Sequence, residues 1–218
     1  AADCEADPAR ARAVNVDVPG QLAGWAATHG ARLVHVSTDL VFGASDAPEG
    51  GFSEAAVPAP VSEYGRTKLE GERAVLAALP AATVARLPLL YGDSAGRGLG
   101  ASDSVLEQVE RGERPRLFVD EWRTPLEVSS AAAALVELLD FDAPGVAHLA
   151  GPDRVSRHGL GVAVLESMGL SRDEAEAELL PTHQADLDAG VYRSRGLPSQ
   201  VGVGGLHGEQ DGLAIVKN

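Results

Sequence analysis

Apolar residues recur along this chain at two spacings, and the alternation between them predicts the order of its elements. In DPARARAVNVDVPGQLAGWAATHG, residues 7–30, they return at helical intervals, with Asp7 and Pro8 suited to a cap and first helical position and Gly30 to a stop. The pattern predicts a helix of about five turns. ARLVHVST, residues 31–38, is a short β-rich run ending in small polar residues, the form of a parallel strand buried on both faces. A loop rich in Gly, Pro and Ser over residues 43–62 leads into a helix carried by VSEYGRTKLEGERAVLAAL, residues 61–79. A second buried strand follows in ATVARLPLLYG, residues 82–92. Beyond the glycine-rich residues 92–100, the pattern predicts helices near 101–112 and 129–140, an irregular RPRLFVDEWRTP over 114–125, and a strand in GVAHLAG, residues 145–151. The acidic SRDEAEAELL, residues 171–180, reads as a solvated helix face.

Helix and strand alternate throughout, which argues for an α/β fold: an open, doubly wound parallel sheet with helices on both faces and ligands beyond the strand ends. With 218 residues and 44% apolar content there is enough material for one sizeable core. No apolar run of about 18 residues occurs and the first residues lack a signal-peptide pattern, so the reading is a soluble, cytoplasmic protein without a membrane partner. The 32 acidic against 18 basic residues give a formal charge of −14, which disfavours nucleic acid and anionic membranes as partners. The single Cys4 excludes an internal disulfide and any multi-thiolate metal site, and the six His residues show no ligand spacing, so no metal is expected.

Only two of the basic residues are Lys, and one of them stands four positions after one of only three Tyr. Residues at i and i+4 share a helix face, so Tyr64 and Lys68 can point into the same space. A nearby ammonium favours phenolate and would lower the Tyr64 pKa toward the range of a proton donor or acceptor. The same pair could equally belong to an exposed helix. Ser37, Thr38 and Asp39 lie where the first strand ends; their hydroxyls could donate to a carbonyl oxygen, or simply cap the strand.

A strand-end hydroxyl followed, 26 positions later, by Tyr-x-x-x-Lys resembles the catalytic set of the extended short-chain dehydrogenase/reductases. Successive blocks (DCEADPARARAVNVDVPGQLA, GARLVHVSTDLVFGA, EYGRTKLEGERAVL, ARLPLLYG and GVAHLAGPDRVSR) resemble, in order and spacing, the dTDP-4-dehydrorhamnose reductase branch of nucleotide-sugar-modifying enzymes, over roughly residues 3–160. The resemblance implies a Rossmann-like fold whose N-terminal glycine-rich half lies outside this sequence. Residues 1–95 would form the remainder of the NAD(P)-binding domain with the catalytic helix, and 96–218 a mixed region that completes the sheet and forms a small substrate-binding part. It also implies roles. Tyr64 would be the proton donor, Lys68 its partner and ribose ligand, and Thr38 the hydroxyl that polarises the carbonyl. The backbone at Leu87 would approach a nicotinamide, from NADPH or NADH. Asn15 matches a helix asparagine that places a water behind the lysine, or is a helix-surface residue. Asp39 would touch the sugar, as would Leu89, which stands where relatives carry Trp. Trp122 and Arg123 fall in the substrate loop, where Arg123 could clamp a pyrophosphate and Trp122 could bind substrate or merely pack. The implied partners are a nucleotide-sugar substrate and, in assembly, a second copy as a homodimer.

Two functions follow. One is NAD(P)H-dependent reduction of a 4-keto nucleotide sugar. The other is a non-catalytic regulatory or scaffold role, as in the methionine adenosyltransferase β subunit, which the changed substrate positions Leu40 and Leu89 favour. VGVGGLHG places Gly202, Gly205 and Gly208 at dinucleotide-loop intervals, but no buried strand is expected before it and too little chain follows to complete the unit.

Overall fold

The computed structural model describes residues 2–43, 47, 48, 50–95, 97, 98, 100–141, 143–186 and 214–216. The first helical stretch is continuous but uneven. α1 (Ala2–Ala6) precedes α2 (Pro8–Arg12), whose N-cap Asp7 accepts from the Arg10 amide, and a π-helical turn over Ala13–Asp17 joins α2 to α3 (Val18–His29). Gly30, at φ 64°, closes α3 in the left-handed conformation that a side chain would penalise. β1 (Val34–Thr38) and a 3₁₀ turn over Asp39–Val41 lead toward α4 (Glu63–Ala78), then β2 (Thr83–Leu87) and β3 (Leu90–Tyr91). Next come α5 (Ala101–Glu110), β4 (Arg116–Phe118), β5 (Trp122–Arg123), β6 (Leu126–Glu127), α6 (Val128–Asp140) and β7 (Gly145–Ala150). β8 (Val155–Ser156), α7 (Arg157–Ser167), α8 (Arg172–Ala177), β9 (Leu180–Thr182) and β10 (Ala214–Val216) complete the described chain.

The main sheet has the order β1-β2-β7-β10. β1, β2 and β7 are parallel, with Val34 opposite Thr83 and Thr83 opposite Gly145. Side chains alternate across a strand, and β2 shows what each face meets. Ala85 and Leu87 join Leu149 against Ala131, Ala134 and Leu138 of α6, whereas Arg86 on the opposite pleat reaches Glu72 of α4. Helices therefore cover both faces, as the alternation predicts, and α3 packs outside α4 through Ala23, Val75 and Ala82. A second cluster (Val105, Val162, Leu165, Ala175 and Leu179) joins α5, α7 and α8 beside β4 and β9.

Three expectations change. β1 is not buried on both faces: Val36 remains 40% exposed, because β1 is the outer strand of this sheet and pairs only with β2 among the described residues. The segment over 114–125 is not irregular but carries β4 and β5, which pair with β9 and β8. Strands of two or three residues are too short to show a period. β10 runs antiparallel to β7, an addition that the sequence pattern does not signal. Gly202, Gly205 and Gly208 lie outside the described residues, and no described helix is long and apolar enough to cross a membrane.

α4 sits unusually close to its neighbours. A Cβ on Gly71 would fall 2.0 Å from the Asn15 carbonyl oxygen in the π turn, and one on Gly65 would fall 2.5 Å from the Leu40 carbonyl oxygen. Gly71→Ala should therefore destabilise the chain by about 1–3 kcal/mol through overpacking against backbone. Gly24→Ala, where an added Cβ meets nothing within 4 Å, should stabilise α3 by up to about 1 kcal/mol. Urea denaturation of both variants checks the pair.

Candidate active site

The site forms where β1 runs out. Thr38 ends the strand and caps the 3₁₀ turn, its Oγ1 accepting from the Leu40 amide at 3.2 Å. α4 begins at Ser62, whose hydroxyl accepts from the Gly65 amide, and the missing Cβ of Gly65 lets the helix rest on Leu40. That approach brings Tyr64 beside Thr38, and both line the same cavity. A cavity of about 460 Å³ opens here, lined by Thr38, Asp39, Tyr64, Leu89 and Arg123 together with Arg116, Glu121 and Arg157. Lys68, Leu87 and Trp122 are not among its lining residues. Leu87 is buried in the core beneath α6, and Trp122 carries the Arg154 guanidinium over its ring at 5.0 Å. A larger cavity of about 620 Å³ between α5 and α7 contains none of these residues.

The electrostatics correct one expectation. Burial, and then the Asp39 charge, push the Tyr64 hydroxyl above its ordinary pKa, against the lowering effect of Thr38. Lys68 is not among the causes, because its ammonium turns to the Val36 carbonyl, which accepts at 2.6 Å. Burial lowers the Lys68 pKa and the Glu72 charge opposes that fall. Tyr64 is thus a protonated phenol at neutral pH. The Asn15 side chain is committed to Thr67, donating to its hydroxyl at 3.0 Å.

Beside Tyr64, two carboxylates alternate with two guanidiniums. Nη2 of Arg123 donates to both Asp39 oxygens at 2.7 Å, and Nη1 reaches Glu121 at 3.4 Å. Glu121 and Arg157 interact in turn; burial raises the first pKa and lowers the second. Asp39 and Arg123, which the resemblance offers separately to sugar and pyrophosphate, are here bound to each other. Arg123 Nε is buried and has no hydrogen-bond partner among the described residues.

Comparison with known proteins places this geometry. The family described as RmlD substrate binding domain matches residues 1–196. The chain belongs to the RmlD substrate-binding domain family. A dTDP-4-dehydrorhamnose reductase from Mycobacterium tuberculosis is 40% identical over 172 residues, 76% of this chain and 55% of that protein. Methionine adenosyltransferase 2 subunit beta from Pongo abelii is 32% identical over 173 residues, 76% of this chain and 51% of the relative. The crystal structure of a dTDP-4-dehydrorhamnose reductase from Clostridium acetobutylicum superposes with a TM-score of 0.74 at 26% identity, covering 85% of this chain and 62% of that one. The chain thus spans between half and two thirds of the length of these relatives.

Behind the cavity this RmlD-family chain carries a buried polar layer. Glu72 receives Arg86 Nε at 3.0 Å and Nη2 at 2.7 Å, and also the Ser37 hydroxyl. Arg86 can only donate, so His148 Nε2 accepts from it at 3.3 Å and Nδ1–H donates to the Phe52 carbonyl at 3.1 Å. Burial and the Arg86 charge push His148 down to about 4; burial and Lys68 push His35 to a similar value. Sequence reasoning singles out neither Glu72, Glu121, Arg157 nor His148. Arg86 was the available signal, since an Arg inside an apolar strand demands an acidic partner.

Both histidines fold neutral with depressed pKa values, so their contribution to stability is complete above about pH 6.5 and is lost as pH falls toward about 4. The urea midpoint should drop across that window, and His148→Gln should flatten the slope. A midpoint constant from pH 6.5 to 4 would contradict the neutral, buried His148. Asp39→Asn leaves Arg123 buried beside Glu121 alone and should cost about 3–5 kcal/mol, read from the same denaturation curves.

Proposed function

We propose that the complete protein is an NAD(P)H-dependent oxidoreductase that reduces the 4-keto group of a nucleotide sugar. One observation carries the reading: Tyr64, a phenol kept protonated by burial, and Thr38, at the end of a parallel strand, line the same cavity, which is sized for a small ligand. Thr38 polarises the substrate carbonyl, and Tyr64, with its proton held by burial, donates it to the oxygen as negative charge develops. The Asp39 charge keeps the resting phenol protonated but, by disfavouring the phenolate that donation leaves, weakens it as an acid, a cost that the transfer must offset.

The residues suit the nicotinamide-ribose end of a dinucleotide. Of the three N–H groups of Lys68, one goes to Val36, leaving donors for ribose hydroxyls at the same strand end. Lys68, Tyr64 and the backbone at Leu87 would hold that end, and the nicotinamide supplies the hydride when bound. No glycine-rich loop opening a helix after a buried strand occurs among the described residues, so the pyrophosphate end draws on chain beyond them. In this reading residues 1–95 carry the cofactor side and 96–218 the substrate side, where Leu89, Arg123 and the neighbouring Trp122 border the sugar nucleotide.

The complete protein should oxidise NADPH with a dTDP-4-keto-6-deoxysugar. Tyr64→Phe should lower kcat by about 10²–10⁴-fold, and full activity in that variant would sink the assignment. The similarity to the methionine adenosyltransferase β subunit supports a second, non-catalytic reading. Stable capture of an enzyme partner without NADPH turnover would favour it.

A further inference from the structure

Glu72 stands one helical turn after Lys68 and is only 2% exposed. Its Oε1 accepts from Ser37 of β1 and from Arg86 of β2, its Oε2 from Arg86 again. Ser37 and Arg86 immediately precede Thr38 and Leu87, so one carboxylate ties α4 to the ends of two strands at the positions beside the candidate catalytic residues. Arg86 extends the tie to His148 on β7.

We infer that Glu72 is a positioning residue of the site, the carboxylate that docks α4 onto the strand ends and supplies the negative charge facing Lys68. The inference rests on the reading of Lys68 as the working amine. Burial lowers the Lys68 pKa, and Glu72 is the charge that opposes that fall. The other groups around Lys68 do not replace it. His35 on β1 is neutral above about pH 4, Tyr64 on α4 is a neutral phenol, and Val36 offers a carbonyl. Arg86 on β2 is cationic and faces Glu72. Ordinary helix–sheet packing would need no ionised group here, because apolar residues of the same volume fill such a site at similar or better stability.

The scarcity of lysine makes the test direct. With lysine labelled at ¹³Cε, the chain gives two signals, from Lys68 and Lys217, and Lys68→Arg assigns them. The pH titration of the Lys68 signal should move down by about one pH unit or more in Glu72→Gln. The exposed control Glu70→Gln should leave it in place. Should Glu72→Gln fail to fold, with Arg86 left unpaired, the double variant Glu72→Gln with Arg86→Met removes both charges and should show a displacement in the same direction, smaller because the Arg86 cation is also gone. An unchanged Lys68 titration in the folded single or double variant overturns the inference. The readout is independent of turnover. A Glu72-dependent titration in a protein that never reduces keto sugars would refute the proposed activity and leave the role of Glu72 standing.

Discussion

The ion pair between Glu72 and Arg86 is the constraint around which the rest of this structure is arranged. Both side chains are almost wholly buried, 2% and 3% exposed, and burying charge is tolerable only when every donor and acceptor finds a partner. Those partners come from separate elements: Ser37 from β1, Arg86 itself from β2, and His148 from β7. Phe42 closes the assembly, with the Arg86 guanidinium 5.1 Å above its ring and Phe52 stacked behind it. Satisfying one carboxylate thereby sets the height of α4 over the sheet, and with it the meeting of Tyr64 and Thr38.

A different balance governs the cavity. Asp39, Glu121, Arg123 and Arg157 are opposite charges in equal number and Arg116 adds one more cation to the lining, so a protein with formal charge −14 keeps its candidate site free of net negative charge. Tyr64 lies against this quartet and responds first to burial and then to Asp39. A phenol in that setting rests protonated, and its burial makes the phenolate costly. This contrast between the whole chain and the cavity also explains why bulk charge says so little about the chemistry.

The sequence made the repeating parts of the fold legible and left the singular ones hidden. Helices α3 to α6 and strands β1, β2 and β7 are long enough to display a period, and Tyr64 and Lys68 share a face because four residues make one turn. Local spacing carries no record of Asp39 meeting Arg123, 84 positions away, or of Trp122 turning to Arg154. The direction of the Tyr64 shift is hidden in the sequence for the same reason. Proximity in sequence suggested that Lys68 would govern the phenol, whereas burial and Asp39 do. Arg86 was the exception, a charged residue in a strand otherwise too apolar to hold it.

The Asn15 carbonyl packed where a Gly71 side chain would be has a consequence for how relatives of this chain can diverge. Gly71 is not among the residues lining the cavity, yet any side chain there pushes α4 away from the π turn and carries Tyr64 with it. The placement of Tyr64 therefore depends on the bare backbone at Gly71. Along this helix the candidate site depends on two kinds of residue, those that line it and those that leave room for the helix to approach.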